Sequence, residues 1–123
     1  NSAEDTRFLK DIAAVLSERV YEATSEQRKS LHLAAVFTCN FTNHMYTLAA
    51  DLLEKYELPF EVMLPLIDET ARKVHELNPH LAQTGPAIRY DKNVINNHLQ
   101  MLVDEPQIQE LYRLISKSIH RLS

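Results

Sequence analysis

A long run of the chain, from Thr24 to Leu58, contains neither glycine nor proline and limits the folds open to it. Thr24 and Ser25 can cap a helix, and no helix breaker follows until Pro59. The run therefore predicts one helix of about 30 residues, roughly 45 Å long. Residues 31–53 are apolar on most faces of this helix. Such a helix must be covered on several sides, by other helices of the chain or by a second subunit.

The rest of the chain predicts shorter helices, whose starts follow from capping residues and prolines. The predicted elements are a helix over 4–17, a strand over 19–23, the long helix, a helix over 60–77 kinked at Pro65, an irregular stretch over 79–90, a helix capped by Asp91, and a helix capped by Asp104. A single strand has no partner for its hydrogen bonds, which indicates a sheet that continues elsewhere. The sequence predicts an all-α domain of about five helices around one long central helix.

Composition excludes several functions. Gly85 is the single glycine, whereas the dinucleotide fingerprint and the P-loop each need several residues without a side chain. A net charge of −4 and a pI near 5.8 argue against a nucleic-acid partner. Cys39 is the single cysteine, which excludes an intrachain disulfide and a cysteine-rich zinc site.

The sequence also indicates where in the cell the protein is expected. No apolar run approaches the roughly 20 residues of a membrane-spanning helix, and the N-terminus lacks a signal-type leader. We expect a soluble, cytoplasmic protein with no membrane partner. The chain begins with Asn1 instead of methionine, so we expect it to be processed or cut from a longer protein.

Three polar side chains of the long helix, His32, Asn40 and His44, form the first candidate site. At 100° per residue they lie within roughly a third of the circumference and share a face. Polar groups in an apolar helix either hydrogen-bond across a core or face a ligand, and both interpretations stay open. A metal site is a weaker alternative, because the histidines form no His-x-x-x-His or His-Glu-x-x-His pair.

The second candidate site lies in the irregular stretch and consists of Thr84, Gly85, Arg89 and Asp91. Gly85 begins a fixed turn, and Thr84 adds a hydroxyl. Arg89 offers a guanidinium fork for an anion, and Asp91 stands at a helix start. The alternative interpretation is that Thr84 to Pro86 form a plain turn and that Arg89 pairs with Asp91 or a neighbour and so fixes the helix.

Two other features have structural interpretations. Glu69 and Lys73, with Asp68, Arg72 and His75 nearby, have the spacing of a solvated ion pair on the third helix. Cys39 is predicted to be a small buried hydrophobic residue, because nothing in the sequence specifies a neighbour that would activate a thiolate.

Three segments of the sequence resemble one known family. They are His-Leu-Ala-Ala-Val-Phe-Thr-Cys-Asn-Phe-Thr-Asn-His over 32–44, Leu-Pro-Leu-Ile over 64–67 and Thr-Gly-Pro-Ala-Ile-Arg-Tyr-Asp over 84–91. They resemble the C-terminal domain, of unknown function, of Rossmann-like oxidoreductases that include deazaflavin-dependent NADP oxidoreductases. That domain is similar in fold to the C-terminal domains of 6-phosphogluconate dehydrogenase and of pyrroline-5-carboxylate reductase relatives.

The resemblance implies a domain organisation. Residues 1–23 would be the last helix and strand of an upstream dinucleotide-binding domain, and 24–123 a helical substrate-binding and dimerisation domain. The implied partners are that upstream domain, a second copy of the protein and an unknown small-molecule substrate. NAD(P) would be bound mainly outside this chain, so the chain alone should bind no cofactor and be catalytically inert.

The resemblance also implies site roles. His32 and Asn40 would face the cleft that holds the nicotinamide ring, with His44 as a further substrate contact. Thr84, Gly85, Arg89 and Asp91 would form the other wall of that cleft.

Two departures from related families bear on these roles. The family commonly has glycine where Tyr90 stands, so Tyr90 would narrow the site. Lys29 is followed four residues later by Leu33, so the Lys-x-x-x-Asn pair of related hydroxyacid enzymes is missing. His32 is the predicted acid or base in its place, because imidazole titrates near neutral pH. The competing hypothesis is a non-enzymatic helical interaction module, in which the loop over 84–91 is structural.

Overall fold

The structure is a computed structural model that describes Ala3, Arg7, Lys10, Asp11 and residues 24–123. Every regular element it describes there is helical. The elements are α1 (Ser25–Ala35), a π-helical segment (Val36–Phe41), α2 (Thr42–Lys55), a 3₁₀ turn (Phe60–Met63), α3 (Leu64–Glu76), α4 (Pro79–Ala82), α5 (Lys92–Met101) and α6 (Pro106–Leu122). The all-α prediction is confirmed. The strand predicted over 19–23 lies outside the described residues, as does most of the helix predicted over 4–17.

The chain forms two compact units, residues 1–62 and 63–123. The long helix of the first unit begins with a capping box. The backbone N–H of Gln27 donates to Thr24 Oγ1 at 3.1 Å, and the backbone N–H of Thr24 donates to Gln27 Oε1 at 2.9 Å. Helical structure then continues without a break to Lys55, which confirms the predicted length. The π-helical segment in its middle was not predicted.

The long helix ends in a Schellman motif. The N–H of Leu58 donates to the carbonyl of Leu53, and the N–H of Glu57 donates to the carbonyl of Glu54, each at 3.0 Å. Glu57 takes a φ of 59°, in the left-handed region that this motif requires. The 3₁₀ turn that follows brings Phe60 against Tyr46, with 6.4 Å between the ring centroids.

The second unit begins with α3, in which Pro65 occupies the first turn. The prediction that Pro65 kinks a longer helix is wrong. A proline in the first turn lacks an N–H that would have no intrahelical partner anyway, so the helix begins there without distortion. The irregular stretch predicted over 79–90 contains one helical turn, α4, which Asn78 caps by accepting from the backbone N–H of His80 at 2.9 Å.

Helices α5 and α6 are joined by side-chain contacts. Tyr112 Oη lies 2.7 Å from His98 Nδ1, and Gln109 Nε2 donates to the carbonyl of Leu99 at 2.8 Å. Burial raises the pKa of the Tyr112 phenol. Helix α6 has Glu105 at its N-cap, so the cap predicted at Asp104 is displaced by one residue.

The described residues bury little apolar surface. Only Ala87 and Leu102 among them are buried. On the long helix Leu33, Phe37 and Phe41 are 61%, 60% and 49% exposed. The described residues of the first unit therefore leave these three side chains uncovered.

Candidate functional site

The first candidate group lies entirely in the first unit. His32 stands in the last turn of α1, Asn40 in the π-helical segment and His44 in the first turn of α2, and all three are exposed. The angle of 100° per residue holds only for an α-helix, and i→i+5 bonding places more residues in each turn. A shared face for the three side chains therefore stays a prediction.

Threonine hydroxyls bond to the carbonyls of the π-helical segment and its flank. Thr42 Oγ1 donates to the carbonyl of Phe37 at 3.1 Å, and Thr38 Oγ1 donates to the carbonyl of Ala35 at 3.4 Å. Side-chain bonds of this kind compete with the regular backbone ladder and distort helices. Short π-helical segments within α-helices are frequent at functional sites. This one contains Asn40, so the backbone gives a reason to consider Asn40 that its residue type alone does not.

The sequence contains a signal for this π-helical segment that the prediction of a regular long helix does not take into account. Two threonines flank Cys39 and Asn40 within an otherwise apolar helix. The prediction that Cys39 is buried is also wrong, because its side chain is exposed. The Thr38 hydroxyl lies 3.7 Å from Cys39 Sγ.

The second candidate group lies in the second unit, in the turn that precedes α5. Gly85 takes a φ of 107°, a conformation that favours glycine. A Cβ at that position would meet no atom within 4 Å, so the backbone conformation, and not lack of space, calls for glycine. The N–H of Asp91 donates to the carbonyl of Pro86 at 2.9 Å, and the N–H of Tyr90 donates to the carbonyl of Ala87 at 3.1 Å.

Tyr90 also takes a left-handed conformation, with a φ of 52°. Glycine adopts this conformation freely, whereas a residue with a bulky side chain adopts it rarely. The tyrosine ring stacks on the His120 ring of α6, with the centroids 4.6 Å apart.

Arg89 and Asp91 do not pair within the described part of the chain. Asp91 Oδ1 instead accepts from the backbone N–H of Val94 at 3.3 Å, which confirms its predicted place at the start of α5. Arg89 is exposed. The predicted pairing of Arg89 with Asp91 or a neighbour is therefore wrong, whereas the interpretation of Thr84–Pro86 as a plain turn stays open. The guanidinium fork is accessible to an anion. Thr84 is exposed as well, and its carbonyl accepts from Gln83 Nε2 at 3.0 Å.

The charged group on α3 is a solvated ion-pair network, as predicted, but with a different pairing. Arg72 takes the place expected of Lys73: its Nε donates to Glu69 Oε2 at 3.0 Å and its Nη1 to Glu76 Oε1 at 2.7 Å. The hydrogen bond from Arg72 lowers the pKa of Glu69, and the bonds to Glu69 and Glu76 raise the pKa of Arg72. All these side chains are exposed, so the network contributes little to stability.

Two other kinds of site receive no support. Among the described residues, no three histidine, cysteine or carboxylate side chains converge to hold a metal ion. Within the same residues no helix has the length and apolar character needed to cross a bilayer.

Comparison with known proteins assigns the family. The model of DUF2520, a domain of unknown function, matches residues 1–119. The chain belongs to the DUF2520 family. This DUF2520 chain is similar to the crystal structure of a "putative NADP oxidoreductase" from Bacteroides fragilis, with 77% identity and a TM-score of 0.81. The match covers 82% of the DUF2520 chain but only 39% of that protein's chain. Among curated proteins, none matches.

The described residues of this DUF2520 chain do not fit the pyrophosphate of a dinucleotide. Such a site follows a β-strand and uses several glycines to let the backbone approach the phosphates. Residues 24–123 contain Gly85 as their single glycine, and the structure gives them no strand.

Proposed function

We propose that this DUF2520 chain is the C-terminal substrate-binding and dimerisation part of an NAD(P)-dependent oxidoreductase of unknown substrate. The observation that carries the proposal is the 77% identity to the "putative NADP oxidoreductase" from Bacteroides fragilis, of whose chain the match covers only 39%. The remaining three fifths of that relative is long enough for a separate dinucleotide-binding domain.

The proposed division of the protein follows the predicted boundaries. Residues 1–23 belong to the end of the upstream dinucleotide-binding domain, and 24–123 form the helical domain. NADP is bound mainly by the upstream domain, because residues 24–123 lack a glycine-rich turn for the pyrophosphate. The cofactor supplies the hydride chemistry when bound, and this chain supplies the surface against which a substrate is held.

Two groups of residues are proposed to contact the substrate, and the first lies on the long helix. His32 and Asn40 contact the reacting part of the substrate, with His32 as the acid or base. Support for Asn40 comes from its position in the π-helical segment. His44 adds a contact on the same helix.

The turn before α5 supplies the remaining contacts. Thr84 and Arg89 present an exposed hydroxyl and an exposed guanidinium. Gly85 sets the backbone of the turn, and Asp91 fixes that turn to the start of α5. An anionic group on the substrate is the natural partner for Arg89.

Dimerisation is proposed to occur through the long helix. Leu33, Phe37 and Phe41 are large, exposed side chains of this helix, and the rings of Phe37 and Phe41 are in contact, with 5.0 Å between their centroids. These three residues are called the apolar row. Contiguous apolar surface of this kind marks interaction sites in soluble proteins. A second copy of the chain can cover it with the same surface.

Fluorescence titration of NADPH and NADH into the full-length protein tests the proposal, with this 123-residue chain as the matched control. We expect saturable binding by the full-length protein and none by the chain alone. If neither protein bound either nucleotide, the oxidoreductase proposal would fail. The non-enzymatic interaction module, which the exposed apolar row also fits, would then be favoured.

The acid–base role needs a separate test once a substrate is found. His32→Gln in the full-length protein should lower kcat by about 100-fold, the lower end of typical general acid–base contributions. His75→Gln, an exposed histidine on α3, is the matched control and should leave kcat unchanged. Equal kcat values for the two variants would remove His32 from the mechanism.

A further inference from the structure

A cavity of about 500 Å³ lies within the second unit, bounded by the turn before α5, by α5 and by α6. Its volume falls in the range of roughly 300–1,000 Å³ that is typical of small-molecule sites. Ala87, Ile95 and Leu99 give it an apolar lining. None of the residues proposed above for the substrate side lines this cavity.

All four charged residues that line the cavity are basic: Lys92, Arg113, Lys117 and Arg121. This local positive charge contrasts with the formal net charge of −4 for the whole chain. Arg113 lies 3.5 Å from Glu110. Throughout the part of the chain that the structure describes, no carboxylate pairs with Lys117 or Arg121.

The basic residues of α6 form a ladder of like charges. Arg113, Lys117 and Arg121 stand four residues apart, so neighbouring members repel each other on one side of the helix. The helix macrodipole favours Arg121 in the last turn, but its effect does not extend to Arg113. An anion in the cavity would offset the repulsion along the whole ladder.

An aromatic wall adjoins these charges. The ring of Tyr90 stacks on that of His120, and Lys92 Nζ lies 5.0 Å from the centroid of the Tyr90 ring. The left-handed conformation of Tyr90 and the hydrogen bond of its N–H to Ala87 fix the backbone from which the ring projects. The cavity therefore combines a flat apolar surface with nearby cations.

We propose that this cavity binds a small organic anion with a flat apolar body. The apolar body contacts Tyr90, Ile95 and Leu99, and the anionic group lies against Lys117 and Arg121. A carboxylate, sulfonate or phosphate on such a body satisfies the same chemistry. The site is separate from the proposed NADP chemistry and does not depend on it.

Two fluorescent probes with the same ring system test the proposal on the full-length protein. 8-Anilinonaphthalene-1-sulfonate carries the anionic group, and N-phenyl-1-naphthylamine lacks it. The test variant is Lys117→Glu/Arg121→Glu, and the matched control is Arg28→Glu/Lys29→Glu, an exposed pair on α1 with the same change of charge. Because Lys117 and Arg121 are exposed, the test variant should fold, and a further variant, Lys117→Gln/Arg121→Gln, removes the charges without reversing them.

We expect the sulfonate to bind at least about tenfold more weakly to Lys117→Glu/Arg121→Glu than to the wild type. The glutamine variant should fall between the two, and Arg28→Glu/Lys29→Glu should match the wild type within about twofold. The neutral probe should bind the wild type more weakly than the sulfonate does. Equal sulfonate binding by the wild type and both cavity variants would overturn the proposal, as would equal binding of the two probes. Loss of NADPH binding would leave these results unchanged, so the two proposals fail separately.

Discussion

Tyr112 is the residue through which α6 hydrogen-bonds to a side chain of α5. Its hydroxyl lies 2.7 Å from His98 Nδ1, and the two rings meet edge to face, with centroids 5.7 Å apart. Burial raises the pKa of Tyr112 above its ordinary value of 10.0. The folded state therefore holds the phenolic proton more tightly than the unfolded chain does.

This pKa shift gives a prediction for alkaline pH. The contribution of Tyr112 to stability is fully present below pH 10, and it is lost as the pH rises from there through the folded-state pKa. Tyr112→Phe removes the titrating group and should flatten this loss, while it lowers stability near neutral pH by about 1 kcal/mol through the missing hydrogen bond. Urea unfolding at several pH values measures both effects. Tyr56→Phe, at a tyrosine that is 55% exposed, is the control. An alkaline loss in Tyr112→Phe as large as in the wild type would contradict the account.

Residue types predicted some site details and not others. The positive φ of Gly85 is predictable because glycine tolerates that conformation. The cap at Asp91 is predictable because a carboxylate can accept a hydrogen bond from the first helical turn. The left-handed Tyr90 could not be predicted, since a tyrosine gives no local reason for that conformation. It is held by the turn and by stacking on His120, which is distant in the sequence.

The backbone conformation of Glu57 at the end of the long helix is slightly unfavourable. Glu57 occupies the left-handed position of the Schellman motif, where glycine is the usual residue. A left-handed conformation costs a residue with a side chain roughly 1–2 kcal/mol. Glu57→Gly should therefore raise the free energy of unfolding, by roughly 0.5–1 kcal/mol once the greater freedom of glycine in the unfolded chain is included.

Glu57→Ala separates the backbone effect from loss of the carboxylate. It retains a Cβ, so it should keep the conformational cost and remain less stable than Glu57→Gly. Chemical unfolding of the three proteins makes the comparison. If the alanine variant were as stable as the glycine variant, the helix end would not be strained in the way described.

The elements themselves were predicted with uneven success for identifiable reasons. The length of the long helix follows from the lack of a breaker between Thr24 and Pro59. The π-helical segment does not, because it depends on hydroxyl-to-carbonyl bonds from Thr38 and Thr42 that a pattern of apolar residues does not encode. The kink predicted at Pro65 is absent because residues 60–63 form a separate 3₁₀ turn, which places Pro65 in the first turn of α3.

At the scale of the whole molecule, the proposed homodimer predicts a specific effect of charge on the apolar row. Phe37→Glu/Phe41→Glu should convert a dimer of the full-length protein into a monomer at micromolar concentration. Each copy would otherwise bury two unpaired carboxylates in the interface, and burying an unpaired charge is costly. Leu66→Glu/Leu81→Glu is the control, since both leucines are exposed but lie off the long helix. Light scattering after size-exclusion chromatography gives the masses. A monomeric wild type, or a Phe37→Glu/Phe41→Glu variant that stays dimeric, would contradict the proposed interface.

What covers the long helix could not be predicted from periodicity. Apolar residues on most faces of the run indicate covering, but they do not say whether it comes from the same chain. The described residues of the first unit leave Leu33, Phe37 and Phe41 exposed, so that unit does not supply the covering surface. The family, by contrast, is predictable from the resemblance of three short segments, 32–44, 64–67 and 84–91, and the match to residues 1–119 confirms it.

Hydrogen–deuterium exchange of the full-length protein, with and without saturating NADPH, tests most directly whether this domain faces the cofactor. We expect slower exchange on NADPH binding in peptides that cover 32–44 and 84–91, and no change in peptides that cover 106–122. NADPH binding without slower exchange in either of the first two segments would contradict the proposal that these residues form the substrate side of an oxidoreductase.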